Sequence, residues 1–354
     1  MKLWIYVVRR LILLLPTLIG LTFLTFALEH AGGTSLFLAQ YINPHLTGTA
    51  RQLLIEQLTA KFHLNDPVYV QYVYWLAAIL QGDWGTSTTI GQPVSTGFVW
   101  FMPNTIMLTL LASLLTWVIS IPIGVYSAAR RDSLLDQGVR VATFTLYSMP
   151  VFLIGFALFL SFGTAWNLLP DHGNVDSILL PTIPDAWFDH TYAVSYPTHI
   201  LAVDAFLHGD WSIAWNALLH VILPAVALTL ALLAGIIRIL RASMLEVLEQ
   251  DYVRLARAKG VPDRLVNNFH AKKNALLPTV TSYGYLVSSL FGGAVVIEDI
   301  FTFKGIGWWT TDAFLKSDVA VVMGSTLVFG LILVVTTLFL DILYAFLDPR
   351  IRYE

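Results

Sequence analysis

Residues 104–129 read NTIMLTLLASLLTWVISIPIGVYSAA, 26 consecutive positions without one charged side chain. About 20 mainly apolar residues in a helix cross the hydrocarbon core of a bilayer. Within that core no water is present to bond the backbone, and a helix satisfies its own N–H and C=O groups. The stretch therefore predicts a transmembrane helix. Working outward, further spans are expected at about Leu11–Leu28, Val139–Phe162, Ala217–Ile237, Thr279–Ile297 and Ala320–Phe346. The fold class expected is an all-α membrane protein with six transmembrane helices. The first run is too long for a cleaved signal peptide, and no small-residue cleavage site follows it.

Composition agrees. Of 354 residues 56% are hydrophobic and only 12% charged, with mean hydropathy +0.70, where a soluble domain carries roughly a quarter charged residues. A chain this long and apolar exceeds what one water-soluble core can bury. The net charge of -3 is small and no dense basic block is present, which argues against nucleic acid as a partner. Cysteine is absent, so disulfides, thiolate chemistry and Cys-ligated metals are excluded.

The Lys and Arg positions set the expected orientation. Lys2, Arg9 and Arg10 precede the first span, and Arg130, Arg131 and Arg140 lie between the second and third. Arg241, Arg254, Arg257, Lys259, Arg264, Lys272 and Lys273 fall between the fourth and fifth, and Arg350 and Arg352 close the chain. The other side holds Arg51, Lys61, Lys304 and Lys316. Both termini are thus expected in the cytoplasm. The chain then divides into 1–28 (first span), 29–103 (outer segment), 104–162 (second and third spans), 163–216 (outer insertion) and 217–354 (the last three spans, with a cytoplasmic loop at 242–278). The outer segment carries a helical stretch around Val68–Leu80. Each outer segment contains a Gly-Asp-Trp turn, Gly82-Asp83-Trp84 and Gly209-Asp210-Trp211, read as a common turn with an interfacial Trp.

Enzyme signatures are missing: there is no His-Glu-x-x-His, no Gly-x-Ser-x-Gly and no Gly-x4-Gly-Lys-Ser/Thr phosphate loop. The nine histidines lack metal-ligand spacing. No catalytic or metal-binding residue is assigned, and any ATPase that drives transport would be another chain. The segment Arg241–Pro278 carries more information. It reads as a helix rich in Ala, Arg and Lys, stopped by Gly260 and Pro262. A short exposed helix with small residues suits docking into a partner's groove; an ordinary positive-inside loop has the same composition, and both readings stay open on composition alone.

Asp251-Tyr252-Val253-Arg254-Leu255-Ala256-Arg257-Ala258-Lys259-Gly260, followed by His270-Ala271-Lys272-Lys273-Asn274-Ala275-Leu276-Leu277-Pro278, resembles the cytoplasmic coupling loop of ABC importer permeases, in particular the dipeptide/oligopeptide/nickel branch. Similar landmarks are Arg9-Arg10-Leu11, Gly82-Asp83-Trp84-Gly85-Thr86-Ser87, Pro122-Ile123-Gly124-Val125, Ser148-Met149-Pro150-Val151-Phe152, Ile222-Leu223-Pro224-Ala225 and Tyr344-Ala345-Phe346-Leu347-Asp348-Pro349-Arg350. The likeness covers nearly the whole chain. Arg254 stands where the wider permease pattern has an acidic residue, Ala31-Gly32-Gly33-Thr34 replaces a Pro-Gly-Asp-Pro turn, Lys304 replaces a proline, and Thr337 replaces an asparagine four residues before Asp341.

The resemblance implies the first of two membrane subunits of a type I ABC importer, in the plasma membrane of a bacterium or archaeon. Its partners would be a second homologous permease, two ATP-binding subunits, an extracytoplasmic substrate-binding protein and the lipid bilayer. ATP and Mg would sit on the ATPases, with no cofactor on this chain. Asp251, Tyr252, Arg254, Ala256, Ala258, Lys259 and Gly260 would form the ATPase-coupling segment. Gly284, Ser288 and Gly292 put one small face on the fifth span, for helix packing or for a subunit interface beside the translocation path. Glu298, Asp299, Gly305 and Gly307 mark an outer turn that would act as a lid or as a contact for the delivery protein. Asp341 is read as an inner structural anchor. Pro150 and Pro224 are expected to bend their helices.

The expected substrate is a di- or oligopeptide. An oligosaccharide is the alternative, since Trp166, Trp187, Trp211 and Trp215 would suit sugar stacking. An ion-coupled secondary transporter would show inverted repeats and interrupted helix pairs, which the sequence does not display. An intramembrane enzyme would need a paired catalytic set, and Asp341 stands alone.

Overall fold

The computed structural model describes residues 3–30, 33–34, 38, 41–42 and 46–347, without the side chains of 3–7, 10–11, 28–29, 341 and 343–347. Lys2, Ala31-Gly32 and Asp348-Pro349-Arg350 lie outside the described residues, as do the side chains of Arg10, Leu11 and Asp341. Helix α1 (Leu3–His30) leads to α2 (Gly48–Lys61) and α3 (Val68–Leu80). Then come α4 (Val94–Ala129), α5 (Leu134–Ser148) and α6 (Val151–Leu158), the last continued by a π-helical turn, Phe159–Ala165. The insertion carries α7 (Leu201–Leu207) and leads into α8 (Trp211–Leu248). The short α9 (Asp251–Ala258) is followed by α10 (Lys272–Ile300), α11 (Ile306–Leu315) and α12 (Val319–Leu347).

Four described helical stretches are long and apolar enough to cross a bilayer: Val94–Ala129, Trp211–Leu248, Asp263–Ile300 and Val319–Leu340. Counting α5 and the Val151–Ala165 stretch as one bent span gives a fifth. The apolar part of α1 is the shorter Ile12–Ala27. The α5–α6 pair corrects the continuous span expected at 139–162, because the chain turns by 105° at Met149-Pro150. Pro150 has no N–H to give the preceding turn, and its ring holds Met149 extended at φ -87°, ψ 129°. Pro224 does not interrupt its helix: α8 runs through it, as α4 does through Pro103 and Pro122. Packed neighbours in a bundle compensate for the lost backbone bond.

Helix α8 is the central element. It touches α4, α5, α6, α7 and α10, and 67% of its most apolar stretch is buried within the chain, against 33% for α4. Leu108 and Ala112 of α4, Leu223 and Leu228 of α8, and Leu290 and Ile297 of α10 form the main core with Phe301 and Phe303. The far side of α4 leaves Leu110, Leu114 and Val118 exposed, as a lipid- or subunit-facing surface requires.

The insertion 163–216 is a folded cap with its own core of Ile183, Trp187, Phe188, Leu201, Ala205 and Ile213. It contains a small antiparallel hairpin, β1 (Phe188–Asp189) with β2 (Val194–Ser195), which corrects the all-α expectation. Buried Asp204 accepts hydrogen bonds from Ser195 Oγ (2.6 Å), Thr198 N (2.8 Å) and Thr198 Oγ1 (2.7 Å) and so ties the hairpin to α7. The two Gly-Asp-Trp turns are helix ends. Gly82 (φ +88°) and Gly209 (φ +77°) each terminate a helix in the left-handed region that glycine enters without a Cβ clash. Asp83 N then bonds Ala78 O, and Asp210 N bonds Ala205 O, both at 2.9 Å.

Candidate functional site

At the end of the bundle away from the cap, α9 projects as a short amphipathic helix. Val253 is its single buried residue, while Asp251, Arg254, Arg257, Ala258 and Lys259 are exposed. It is tethered by the hydroxyl of Tyr252, which accepts a hydrogen bond from Asn274 Nδ2 at 2.8 Å, and by an Arg257–Asp263 ion pair at 3.3 Å. Gly260 (φ +79°) ends the helix, with Gly260 N bonding Arg257 O and Val261 N bonding Ala256 O. Tyr252, Leu255, Leu265 and Phe269 leave large apolar surface on the same segment. The structure thus brings residues 251–260, singled out in the sequence, together on one exposed element. A side chain at Gly260 would meet no atom within 4 Å, so the position needs glycine for its backbone and not for close contact within this chain.

The anchor of this segment was not foreseen from the sequence. Asp136, fully buried at the start of α5, takes both Arg241 Nε (2.7 Å) and Arg241 Nη2 (2.8 Å) from α8. Its oxygens also accept from Ser127 Oγ (2.6 Å) and the Asp132 N–H (3.0 Å). A bidentate guanidinium–carboxylate pair fixes direction as well as distance. It locks the α4–α5 connection to α8 ten residues before α9 begins. Ser133, which caps α5, and the cluster of basic residues around Asp136 were the available sequence signals.

At the opposite end lies Glu298, expected in a turn that would act as a lid or as a contact for the delivery protein. It is fully buried. Its carboxylate accepts from Thr105 Oγ1 (2.6 Å), Gly307 N (2.8 Å) and Trp308 N (3.0 Å), while Ile306 N donates to Thr105 Oγ1 (2.8 Å). A Cβ at Gly305 or Gly307 would overlap that carboxylate. Glu298, Gly305 and Gly307 therefore form a closed latch between α4, α10 and α11, and of the four residues only Asp299 is exposed. Lys304 follows the latch: its carbonyl accepts from Asn104 Nδ2 (2.9 Å), and its N–H donates to Asn174 Oδ1 (2.7 Å). Burial pushes its ammonium pKa down. A second tie, also unforeseen, is buried Asp318, which accepts from Ser87 Oγ (2.6 Å) and Thr89 N (2.9 Å) and holds the 86–93 turn to α12. Glu298→Gln replaces an acceptor of three donors by an amide, and we expect a loss of about 1–3 kcal/mol. Thermal unfolding of the detergent-solubilised chain would measure it, and an unchanged midpoint would contradict the latch.

The small face of α10 divides. A Cβ at Gly284 would overlap Leu340 of α12, so this glycine serves helix packing; Ser288 is buried, and Gly292 faces open space. Asp341 sits on α12, and its side chain lies outside the described residues. Trp187 is buried and stacked on His208 with centroids 5.0 Å apart, which withdraws it from the set of rings free to stack on a sugar; Trp166, Trp211 and Trp215 remain exposed.

The amino-acid sequence has counterparts among known proteins. Residues 120–353 match the family model described as binding-protein-dependent transport system inner membrane component. The chain belongs to this family. It is 37% identical over 350 residues to the oligopeptide transport system permease protein AppB of Bacillus subtilis (strain 168), covering 98% of this chain and 99% of the relative. It is 35% identical over 353 residues to the dipeptide transport system permease protein DppB of Escherichia coli (strain K12), covering 99% of each. Identity to the di/tripeptide transport system permease protein DppB of Pseudomonas aeruginosa (strain UCBPP-PA14) is 34% over 353 residues, again 99% of each. The protein is thus a multi-pass membrane component of a transport system. The matched region runs from the last ten residues of α4 through α12 and includes the Asp136–Arg241 pair, α9 and Glu298.

Proposed function

We propose that this chain is one of two membrane subunits of an ATP-driven importer and forms half of the pathway for di- and oligopeptides. The observation that carries the reading is α9: an exposed, glycine-terminated helix of eight residues, tethered at its base and rigidly joined through Arg241 to the bundle. An element so placed passes rigid-body motion from a soluble partner into the membrane helices. Relatives named for dipeptides and oligopeptides support the substrate class.

In this reading the chain has six transmembrane helices in the type I arrangement, with α1 first and the bent α5–α6 pair third. Segments 29–103 and 163–216 lie outside, and both termini and α9 lie in the cytoplasm of a cell bounded by this plasma membrane. Residues 251–260 dock on one of two ATP-binding subunits, which hold ATP and Mg. A second permease packs against exposed α4 and α10 surfaces near Gly292, and a binding protein delivers substrate to the capped face. Asp341 anchors the inner end of the last span.

The orientation is tested by single cysteines, since the chain has none of its own. A cysteine at position 61 should react with a membrane-impermeant maleimide added from outside intact cells, and one at position 257 only after permeabilisation. Labelling of position 61 from the cytoplasmic side alone would overturn the topology.

A further inference from the structure

Near the base of α9, a cleft of about 760 Å³ opens between the last turns of α4 and the segment leading into α10. That lies within the roughly 300–1,000 Å³ of ordinary small-ligand clefts. Arg130, Arg264 and Lys272 line it. The carboxylates nearby are engaged elsewhere: Asp132 with Arg131 and Arg140, Asp136 with Arg241, Glu249 with Arg131, Asp251 with Arg254, and Asp263 with Arg257. Among the described residues, Arg130, Arg264 and Lys272 have no carboxylate partner. Arg130 is held in place, with its guanidinium 4.4 Å from the Tyr126 ring centroid. Asn267 also lines the cleft. Apart from Asn268, its remaining wall belongs to α4 and is mainly apolar, through Ile121, Pro122 and Val125.

A positive flank that merely obeys the charge rule for membrane topology would scatter its cations over the surface. Here three converge on one concavity whose other wall is a membrane helix. We propose that this cleft binds the phosphodiester headgroup of an anionic phospholipid. The phosphate sits among Arg130, Arg264 and Lys272, and the acyl chains run along the apolar side of α4. Basic pockets between membrane helices bind anionic headgroups in this way, and guanidinium forks match phosphate geometry. The lipid then braces the join between α4 and the base of α9, where motion would pass into the membrane. The choice of leaflet depends on the topology proposed above; the headgroup chemistry does not.

Native mass spectrometry of the full chain tests this, with phosphatidylglycerol and phosphatidylcholine of identical acyl chains as probes. Phosphatidylglycerol should survive delipidation about tenfold better than phosphatidylcholine, and Arg130→Gln/Arg264→Gln/Lys272→Gln should abolish that preference. The charge-keeping Arg130→Lys/Arg264→Lys/Lys272→Arg should retain most of it, and Lys259→Gln/Lys273→Gln, outside the cleft, should leave it unchanged. Equal retention of the two lipids by the wild-type chain would overturn the proposal, as would a preference that survives the triple glutamine variant. So would displacement of the lipid by excess inorganic phosphate, which would make the occupant a free anion. Capture of an ATPase subunit instead of lipid by a photocrosslinker at position 268 in the assembled importer would also overturn it, assigning the cleft to a protein surface.

Discussion

Asp136→Ala should be the most damaging of the single substitutions, lowering stability by about 3–5 kcal/mol, because it leaves a guanidinium largely buried without its counter-charge. Arg241 is only 18% exposed, and two of its N–H groups point at the lost carboxylate. Ser127 Oγ and the Asp132 N–H lose their acceptor in the same step. Taking two charges out of water costs much of what their attraction returns, so the pair as a whole contributes less than the damage done by breaking it. Asp136→Leu/Arg241→Met should therefore unfold at a higher temperature than either single variant. Unfolding midpoints and recovery of folded protein from detergent would measure both effects. A loss under about 1 kcal/mol for Asp136→Ala would contradict an anchoring role for the pair.

Gly260→Leu should reduce transport about tenfold while membrane insertion and delivery-protein binding persist. The cause is backbone strain. At φ +79° a side chain meets the following carbonyl, at a cost of roughly 1–2 kcal/mol, and nothing else crowds the position. The Val261 N to Ala256 O bond that closes the helix is the contact most exposed to that strain. An α9 whose end has shifted no longer meets its partner squarely. Gly260→Asn is the control, since asparagine tolerates the left-handed region, and it should stay within about threefold of normal transport. Uptake by Gly260→Leu at the normal rate, with the ATPases assembled, would count against a coupling role for α9.

Much of this was legible in the sequence because it is local. The run at 104–129 specifies a membrane helix without reference to any other segment, and Gly260 marks its helix end in the same way. The third span was harder: Pro150 announced a bend, but its angle of 105° depends on what α6 packs against, here Ile297, Ile300 and Phe301 at the end of α10. The fourth span was expected to end near Ile237, yet α8 continues to Leu248, because long basic side chains such as Arg241 keep their stems in a helix and send the charge to a partner. For Arg241 that partner is Asp136, 105 positions earlier. Thr105 and Glu298 are 193 positions apart, and Ser87 and Asp318 are 231 apart. No spacing rule reaches across such separations. The burial of Glu298 was illegible for this reason: an acidic residue beside glycines reads as an exposed turn until the distant hydroxyl that pairs with it is known.

This chain should carry peptides through the membrane only as part of an ATP-driven assembly. The decisive experiment is uptake of a radiolabelled dipeptide into proteoliposomes holding the assembled importer, with binding protein outside and nucleotide inside. Uptake is expected to require ATP hydrolysis, to stop when this chain is omitted, and to be indifferent to a collapsed proton or sodium gradient. Uptake by this chain alone, driven by an ion gradient without ATP, would contradict that reading.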